Sequence, residues 1–276
     1  MKLREQYLNN GFVIIKNFFD KDELNSQKKN FSNVSNNFDH EIFDNDFIQK
    51  LYLNEQFFNL IKKILGTEKL IYFSDSSIVK HKDVFSPSNG YHNDSRRDNY
   101  NFLNEYPLLR VATYLQESIK NSGGIKIKPG SHKYFCLALR GFKQKLITML
   151  KKIIFFDKNF RFKLLSKGIQ PPLDLGDLII WNLRTHHSGT AIKFKFLNNL
   201  SLHPLIEKLL PNIIKLPCKD RMAVFMVFGN DLPNEKNLEK YVNDKNSKQQ
   251  FNYDNIESLK SKFSQHNIRF ISSKKI

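Results

Sequence analysis

The chain has 276 residues, 26% of them charged and 40% apolar, a balance that fits soluble globular domains and excludes the disordered and collagen-like classes. No apolar run approaches the ~18 residues of a membrane-spanning helix, so a transmembrane protein is not expected. The net charge of +17 biases the protein toward anionic partners, although the crowding of Lys, Asn, Ile and Phe is also what AT-rich coding produces.

Met1 to Phe19 interleaves Arg4, Glu5 and Lys16 with its apolar residues and has no continuous apolar core of a leader, so export is not expected. Cys136 and Cys218 are the only cysteines. They cannot build a disulfide framework or a CxxC zinc site, which points to a reducing cytoplasm.

In chain order, Gly11-Phe-Val-Ile-Ile-Lys-Asn-Phe-Phe-Asp20 predicts a buried strand followed by a helix start at Asp20. Apolar residues at helical intervals from Lys50 to Ile64 predict a helix capped by Gly66. Leu70–Phe73, Leu109–Leu115, Ile125–Lys128, Leu178–Trp181 and Met222–Phe228 then read as short strands separated by turn residues. The pattern is mainly β with flanking α, an antiparallel sandwich or barrel.

Two stretches interrupt it. Lys133 to Gly168 is strongly basic and predicts an amphipathic helical insertion, suited to an acidic membrane surface or a phosphorylated substrate, or simply packed with a solvated face. Asn198 to Pro217 carries Pro204, Pro211 and Pro217 and predicts a short helix in a long connection. Leu232 to Ile276 is polar with scattered aromatics and predicts one or two terminal helices.

Of the eight histidines, His40, His81, His203 and His266 stand in ordinary polar contexts and read as surface or structural residues. Tyr91-His92-Asn93-Asp94 differs: on a strand, His92 and Asp94 project to one face, where an imidazole and a carboxylate could share a metal ion. The apolar strand before His186-His187 supplies a second imidazole. Two histidines and one carboxylate on one face of an octahedron suit non-haem Fe(II), because three adjacent positions stay open for reactants.

These residues resemble the phytanoyl-CoA dioxygenase-like family of Fe(II)/2-oxoglutarate-dependent oxygenases from Gly11 to about Gly229. The opening Gly11-Phe-Val-Ile-Ile, His92-Asn-Asp94, Gly123-Gly-Ile-Lys-Ile-Lys-Pro-Gly-Ser-His132 and Gly176-Asp177 with Trp181-x-x-Arg184-x-x-His187-Ser-Gly-Thr carry the resemblance. It implies a single domain over 1–276 with a double-stranded β-helix (jelly-roll, cupin-like) core at 70–229. Residues 1–69 would form an N-terminal strand and helices, about 133–170 and 198–217 helical insertions, and 230–276 a helical extension.

The same resemblance implies His92, Asp94 and His187 as Fe(II) ligands, with His186 the rival of His187 and His132 a turn residue. 2-Oxoglutarate and O2 would be co-substrates. The family's arginine about ten residues past the distal histidine is missing here, where only Lys193 and Lys195 are basic. Arg221 is therefore the first choice for the co-substrate carboxylate and Lys193 the second, with Lys80 and Gln116 as further contacts. The expected activity is hydroxylation of a small or anionic metabolite, phosphorylated or nucleotide- or lipid-linked. Desaturation or epimerisation, or a non-catalytic or nucleic-acid-binding protein on the same scaffold, are the alternatives. No nucleic-acid-binding signature is present, so nucleic acid is not an expected partner.

Overall fold

The computed structural model describes residues 2–26, 42–88, 90–94, 108–116, 122–133, 168–195, 201–230 and 256–271. The basic stretch expected to form a helical insertion falls at 134–167, outside the described residues.

A helix unforeseen in the sequence, α1 (Leu3–Asn10), precedes the first strand. Only Tyr7 of its eight residues is buried, so it has no apolar stripe to betray it. It ends at Gly11, whose φ of +78° lies in the left-handed region that glycine enters at low cost. The predicted strand follows as β1 (Phe12–Ile15).

The single helix expected from Lys50 is two helices, α2 (Asp46–Tyr52) and α3 (Glu55–Leu65). Asn54 is the reason for the break: its side chain accepts the Phe57 N–H at 2.9 Å and starts a new helix. Gly66 ends α3 as expected, at a φ of +70°.

Six strands form the large sheet: β1, β2 (Leu70–Val84), β3 (Leu109–Tyr114), β5 (Leu178–Asn182), β9 (Cys218–Asn230) and β10 (Ile268–Ile271), in the order β1-β5-β3-β9-β2-β10. Every pair is antiparallel except β2 with β10. The C-terminal part is thus not purely helical. It holds α5 (Ile256–Gln265), and the alternation in Ile268-Arg-Phe-Ile271 adds an edge strand beside β2.

Period-2 alternation gives this sheet two apolar faces. Val13, Ile78, Val111, Leu178, Ile180, Val224, Met226 and Phe228 join a core with side chains of α2, α3 and α5. Phe12, Ala112, Tyr114, Ile179, Trp181, Ala223 and Phe225 pack instead with Ile125, Ile127 and Leu173, toward a second sheet. That smaller sheet pairs β4 (Gly124–Ile127) with β6 (His187–Ala191). Single bridges extend it on both sides, His92 to His187 and Ile127 to Ile169. The two facing layers are the sandwich expected from the strand pattern, in the jelly-roll form that the family resemblance implies.

Between β6 and β9 a two-stranded pair, β7 (Lys193–Phe194) with β8 (Lys215–Leu216), brackets a connection containing the helix α4 (Pro204–Leu209). No helix among the described residues is long and apolar enough to cross a membrane.

Asp177 shows how the Gly-Asp turn serves this frame. Its buried carboxylate pairs with Lys16 at 2.6 Å and accepts the N–H groups of Asn17 at 3.0 Å and Asp174 at 2.8 Å. The turn entering β5 is thereby tied to the end of β1, its antiparallel neighbour.

Candidate metal centre

The two histidine segments meet through the backbone. The N–H of His92 donates to the carbonyl of His187 at 2.9 Å and the N–H of His187 to the carbonyl of His92 at 2.8 Å. This closely hydrogen-bonded pair brings the two rings to a centroid distance of 4.4 Å, inclined at 52° to each other. The Asp94 N–H donates to the Leu183 carbonyl at 2.9 Å, which brings the carboxylate to the same place.

Ligand-capable atoms of His92, Asp94 and His187 all lie within 4.8 Å of one another. Asp94 Oδ1 is 3.9 Å from His92 Nε2, and Asp94 Oδ2 is 3.7 Å from His187 Nε2. Both rings are oriented by backbone: His92 Nδ1 lies 3.1 Å from the Gly90 carbonyl and His187 Nδ1 3.0 Å from that of Thr185. A carbonyl oxygen can only accept, so each Nδ1 is the donor and each Nε2 is left facing the Asp94 carboxylate. Burial, opposed by the Asp94 charge, pushes the His187 imidazole down to about 4 and keeps it neutral near pH 7.

Burial alone would raise the Asp94 carboxyl. Arg110, with Nε 3.4 Å from Oδ2, and the two histidines hold it below the usual carboxylate range instead. The donor set is therefore two imidazoles and one ionised carboxylate, the composition a divalent first-row metal takes.

His186 is not in this cluster. Its N–H donates to Ser131 Oγ at 2.9 Å, and its carbonyl accepts from the Lys128 N–H at 2.9 Å. The Pro-Gly-Ser-His turn thus fixes the residue before His187. His132 bonds the Leu8 carbonyl through Nε2 at 3.0 Å and tethers α1, a structural place.

Arg221 lies within β9, buried, opposite His81 of β2. Its Nη1 donates to Thr190 Oγ1 at 3.1 Å and lies 3.3 Å from His81 Nδ1. Among the described residues the guanidinium has no salt bridge to any carboxylate, and its buried Nε has no hydrogen bond. A buried cation without a counter-charge is costly, and an incoming carboxylate would relieve it.

Thr190 reaches Arg221 through a bulge. The register jumps from Ile125 opposite Gly189 to Gly124 opposite Ala191, leaving Thr190 as the extra residue, at a φ of +55°. For a β-branched residue that conformation is strained, and such bulges re-aim side chains beside functional sites. Gly189 leaves room there: a β-carbon would come 2.8 Å from Ser88 Oγ and 3.6 Å from Arg221 Nη2.

The remaining sequence candidates divide. Gln116 sits beside Arg221, its Oε1 accepting the Met222 N–H at 2.8 Å while its buried Nε2 has no hydrogen-bond partner among the described residues. Lys80 pairs with Met222, so alternation puts it on the face of β2 opposite His81 and away from Arg221. Lys193 stands half-buried on β7, its N–H donating to Ser122 Oγ at 2.9 Å, with no contact to the cluster or Arg221.

Sequence reading missed three residues. His81, dismissed as ordinary, touches Arg221 and Thr190. Arg110 and Trp181 flank the cluster, the indole 5.3 Å from the His187 ring. Only the pairing of β3 and β5, which sets Arg110 opposite Trp181, brings them there.

No protein-family model matches the chain, and no curated protein sequence matches it. Solved structures do. SnoN, the non-heme alpha ketoglutarate dependent epimerase from nogalamycin biosynthesis, is 14% identical with a TM-score of 0.55, over 83% of this chain and 79% of its own. HygX from Streptomyces hygroscopicus, with nickel and 2-oxoglutarate bound, is 13% identical with a TM-score of 0.51, over 83% and 87%. EctD from S. alaskensis, with bound Fe, is 14% identical with a TM-score of 0.51, over 82% and 75%. At such identities the likeness establishes what is shared as the fold: this chain has the jelly-roll architecture of these proteins.

Proposed function

We propose that the protein is an Fe(II)/2-oxoglutarate-dependent oxygenase acting on a small molecule. The observation that carries this reading is the convergence of His92, Asp94 and His187 with both Nδ1 atoms bound to backbone and both Nε2 atoms beside the carboxylate. His92, Asp94 and His187 would hold Fe(II), and Arg221 with Thr190 would take the far carboxylate of 2-oxoglutarate. When bound, iron, 2-oxoglutarate and O2 supply oxidation of an aliphatic C–H, coupled to decarboxylation of the co-substrate to succinate and CO2.

The chain's own contribution is order and charge. The Gly90 and Thr185 carbonyls fix the rings, and Arg110 keeps Asp94 ionised. Trp181 packs against His187 and helps exclude water from that side. The charge of +17 supports an anionic substrate. Hydroxylation is the first reading. The likeness to the epimerase SnoN supports epimerisation as the second, since the outcome depends on how the substrate is positioned.

The test is an anaerobic titration of the purified chain with Fe(II) and 2-oxoglutarate, following the visible charge-transfer absorbance of the ternary complex. The band should form in the parent protein, vanish in His92→Ala and weaken in Arg221→Ala. Metal binding without a band would replace the co-substrate assignment by a cupin-like isomerase or dioxygenase. Failure to bind metal would leave a non-catalytic scaffold.

A further inference from the structure

Helix α4 is inside out. Its Glu207 is fully buried, while Leu205, Ile206 and Leu209 are 56%, 49% and 86% exposed, followed by Ile213 at 75%. These are four of the six exposed large hydrophobic side chains among the described residues, gathered within nine positions. An ordinary surface helix does the reverse, turning carboxylates to water and leucines to the core.

The inversion is built in. Lys126 of β4, equally buried, points out of the jelly roll because its strand neighbour Ile127 points in. Its ammonium pairs with the Glu207 carboxylate and donates to the Leu202 carbonyl at 2.7 Å. Burial pushes the Glu207 carboxyl up and the Lys126 amine down, each opposed by the other's charge, so neither is stable there without its partner. The pair fixes which side of α4 faces the sheet and leaves the aliphatic side outward.

We propose that Leu205–Ile213 is a docking ridge for an anionic lipid bilayer. Charge favours that occupant. Between Thr190 and Lys219 the sole acidic residue is Glu207, the buried one, while Lys195, Lys208 and Lys219 are exposed. The Lys195 N–H donates to the Ile214 carbonyl at 3.0 Å, which sets the backbone of this exposed lysine next to the end of the ridge. Exposed aliphatic residues with exposed lysines on the same helix and at the end of the adjoining strand match an anionic membrane interface. Protein interfaces draw their affinity from aromatic and Arg anchors, which the ridge lacks. A second copy would bring another net charge of +17 against the first.

The ridge adjoins the candidate site. A β-carbon at Gly90, two residues before His92, would lie 3.6 Å from Leu205 Cδ2, and His203 at the start of α4 packs edge-on against Tyr91 at 5.1 Å. A docked ridge would therefore hold the His92 loop close to the lipid surface.

The test is co-sedimentation of the full chain with vesicles of phosphatidylglycerol and phosphatidylcholine, and with phosphatidylcholine alone, comparing the parent with Leu209→Ser/Ile213→Ser. Both side chains are largely in water, so the variant should fold, checked by circular dichroism and its melting temperature. The parent should bind the anionic vesicles and the variant about tenfold more weakly at the same charge. Equal binding of the two would reduce the effect to plain charge attraction and overturn the ridge. So would a parent that stays in the supernatant, or one that forms a dimer which the variant dissolves. Titrating Ni(II) into both proteins separates this from the metal reading, because the variant keeps the whole His92, Asp94 and His187 cluster.

Discussion

Replacing Arg221 by Met should weaken 2-oxoglutarate binding without destabilising the apo protein, a combination that a merely structural arginine would not give. The guanidinium is buried, has no carboxylate partner among the described residues and donates to Thr190 at 3.1 Å. Methionine fills comparable length and removes the uncompensated charge, while Thr190 keeps its contact with His81 at 3.0 Å. The apo melting temperature should therefore stay level or rise.

Hydrogen bonds to a charged group contribute about 1.5–3 kcal/mol, so losing the carboxylate contact should cost about 10- to 150-fold in affinity. With Ni(II) bound, co-substrate at about 100 times its dissociation constant stabilises the parent by about 2.7 kcal/mol, and a 100-fold weaker variant by only about 0.4 kcal/mol. At about 2–4 °C per kcal/mol for a chain of this size, the parent should gain about 5–11 °C and the variant under about 2 °C. Scanning fluorimetry with and without 2-oxoglutarate reads both quantities. An apo protein weakened by more than about 2 kcal/mol that keeps the full ligand shift would refute the argument.

His187→Ala should lower Ni(II) or Co(II) affinity by more than about 100-fold in isothermal titration, whereas His186→Ala should stay within about threefold, and the reverse order would exchange the two roles. Glu207→Gln strands the buried Lys126 cation and should cost about 3–5 kcal/mol in urea unfolding, most of it restored in Lys126→Met/Glu207→Leu; a single-variant loss below about 1 kcal/mol would show that the pair is not buried in solution. Burial pushes the Lys128 amine down to about 8 from its ordinary 10.5. The unfolded chain then binds more protons between these values, so stability should rise with pH across that window by at most about 1.4 kcal/mol per unit, and Lys128→Met should lack the rise when unfolding is compared at pH 8 and pH 9.5. Gly189→Ala should weaken 2-oxoglutarate binding but not Ni(II) binding, because the added methyl enters the space beside Arg221 and Ser88; unchanged co-substrate affinity would count against that location.

The sequence by itself determined what local chemistry can write. Alternating β-branched runs marked the strands, Gly66 marked a helix end, and the Pro-Gly-Ser-His turn and the spacing of His92, Asp94 and His187 marked the candidate metal centre. It did not resolve α1, whose residues are polar because it lies on the surface, nor the break at Asn54, where a cap outweighs an unbroken apolar pattern. Tertiary structure decided the rest. Strand pairing turned Lys80 away from Arg221 and brought His81, far off in sequence, against it. A bulge at Thr190 aimed a hydroxyl that no spacing rule would place. Glu207 is buried because the fold sets Lys126 beneath it, which turns the leucines of the same helix outward. Periodicity records which face of a segment is apolar, but which partner each face meets depends on contacts between residues distant in the chain.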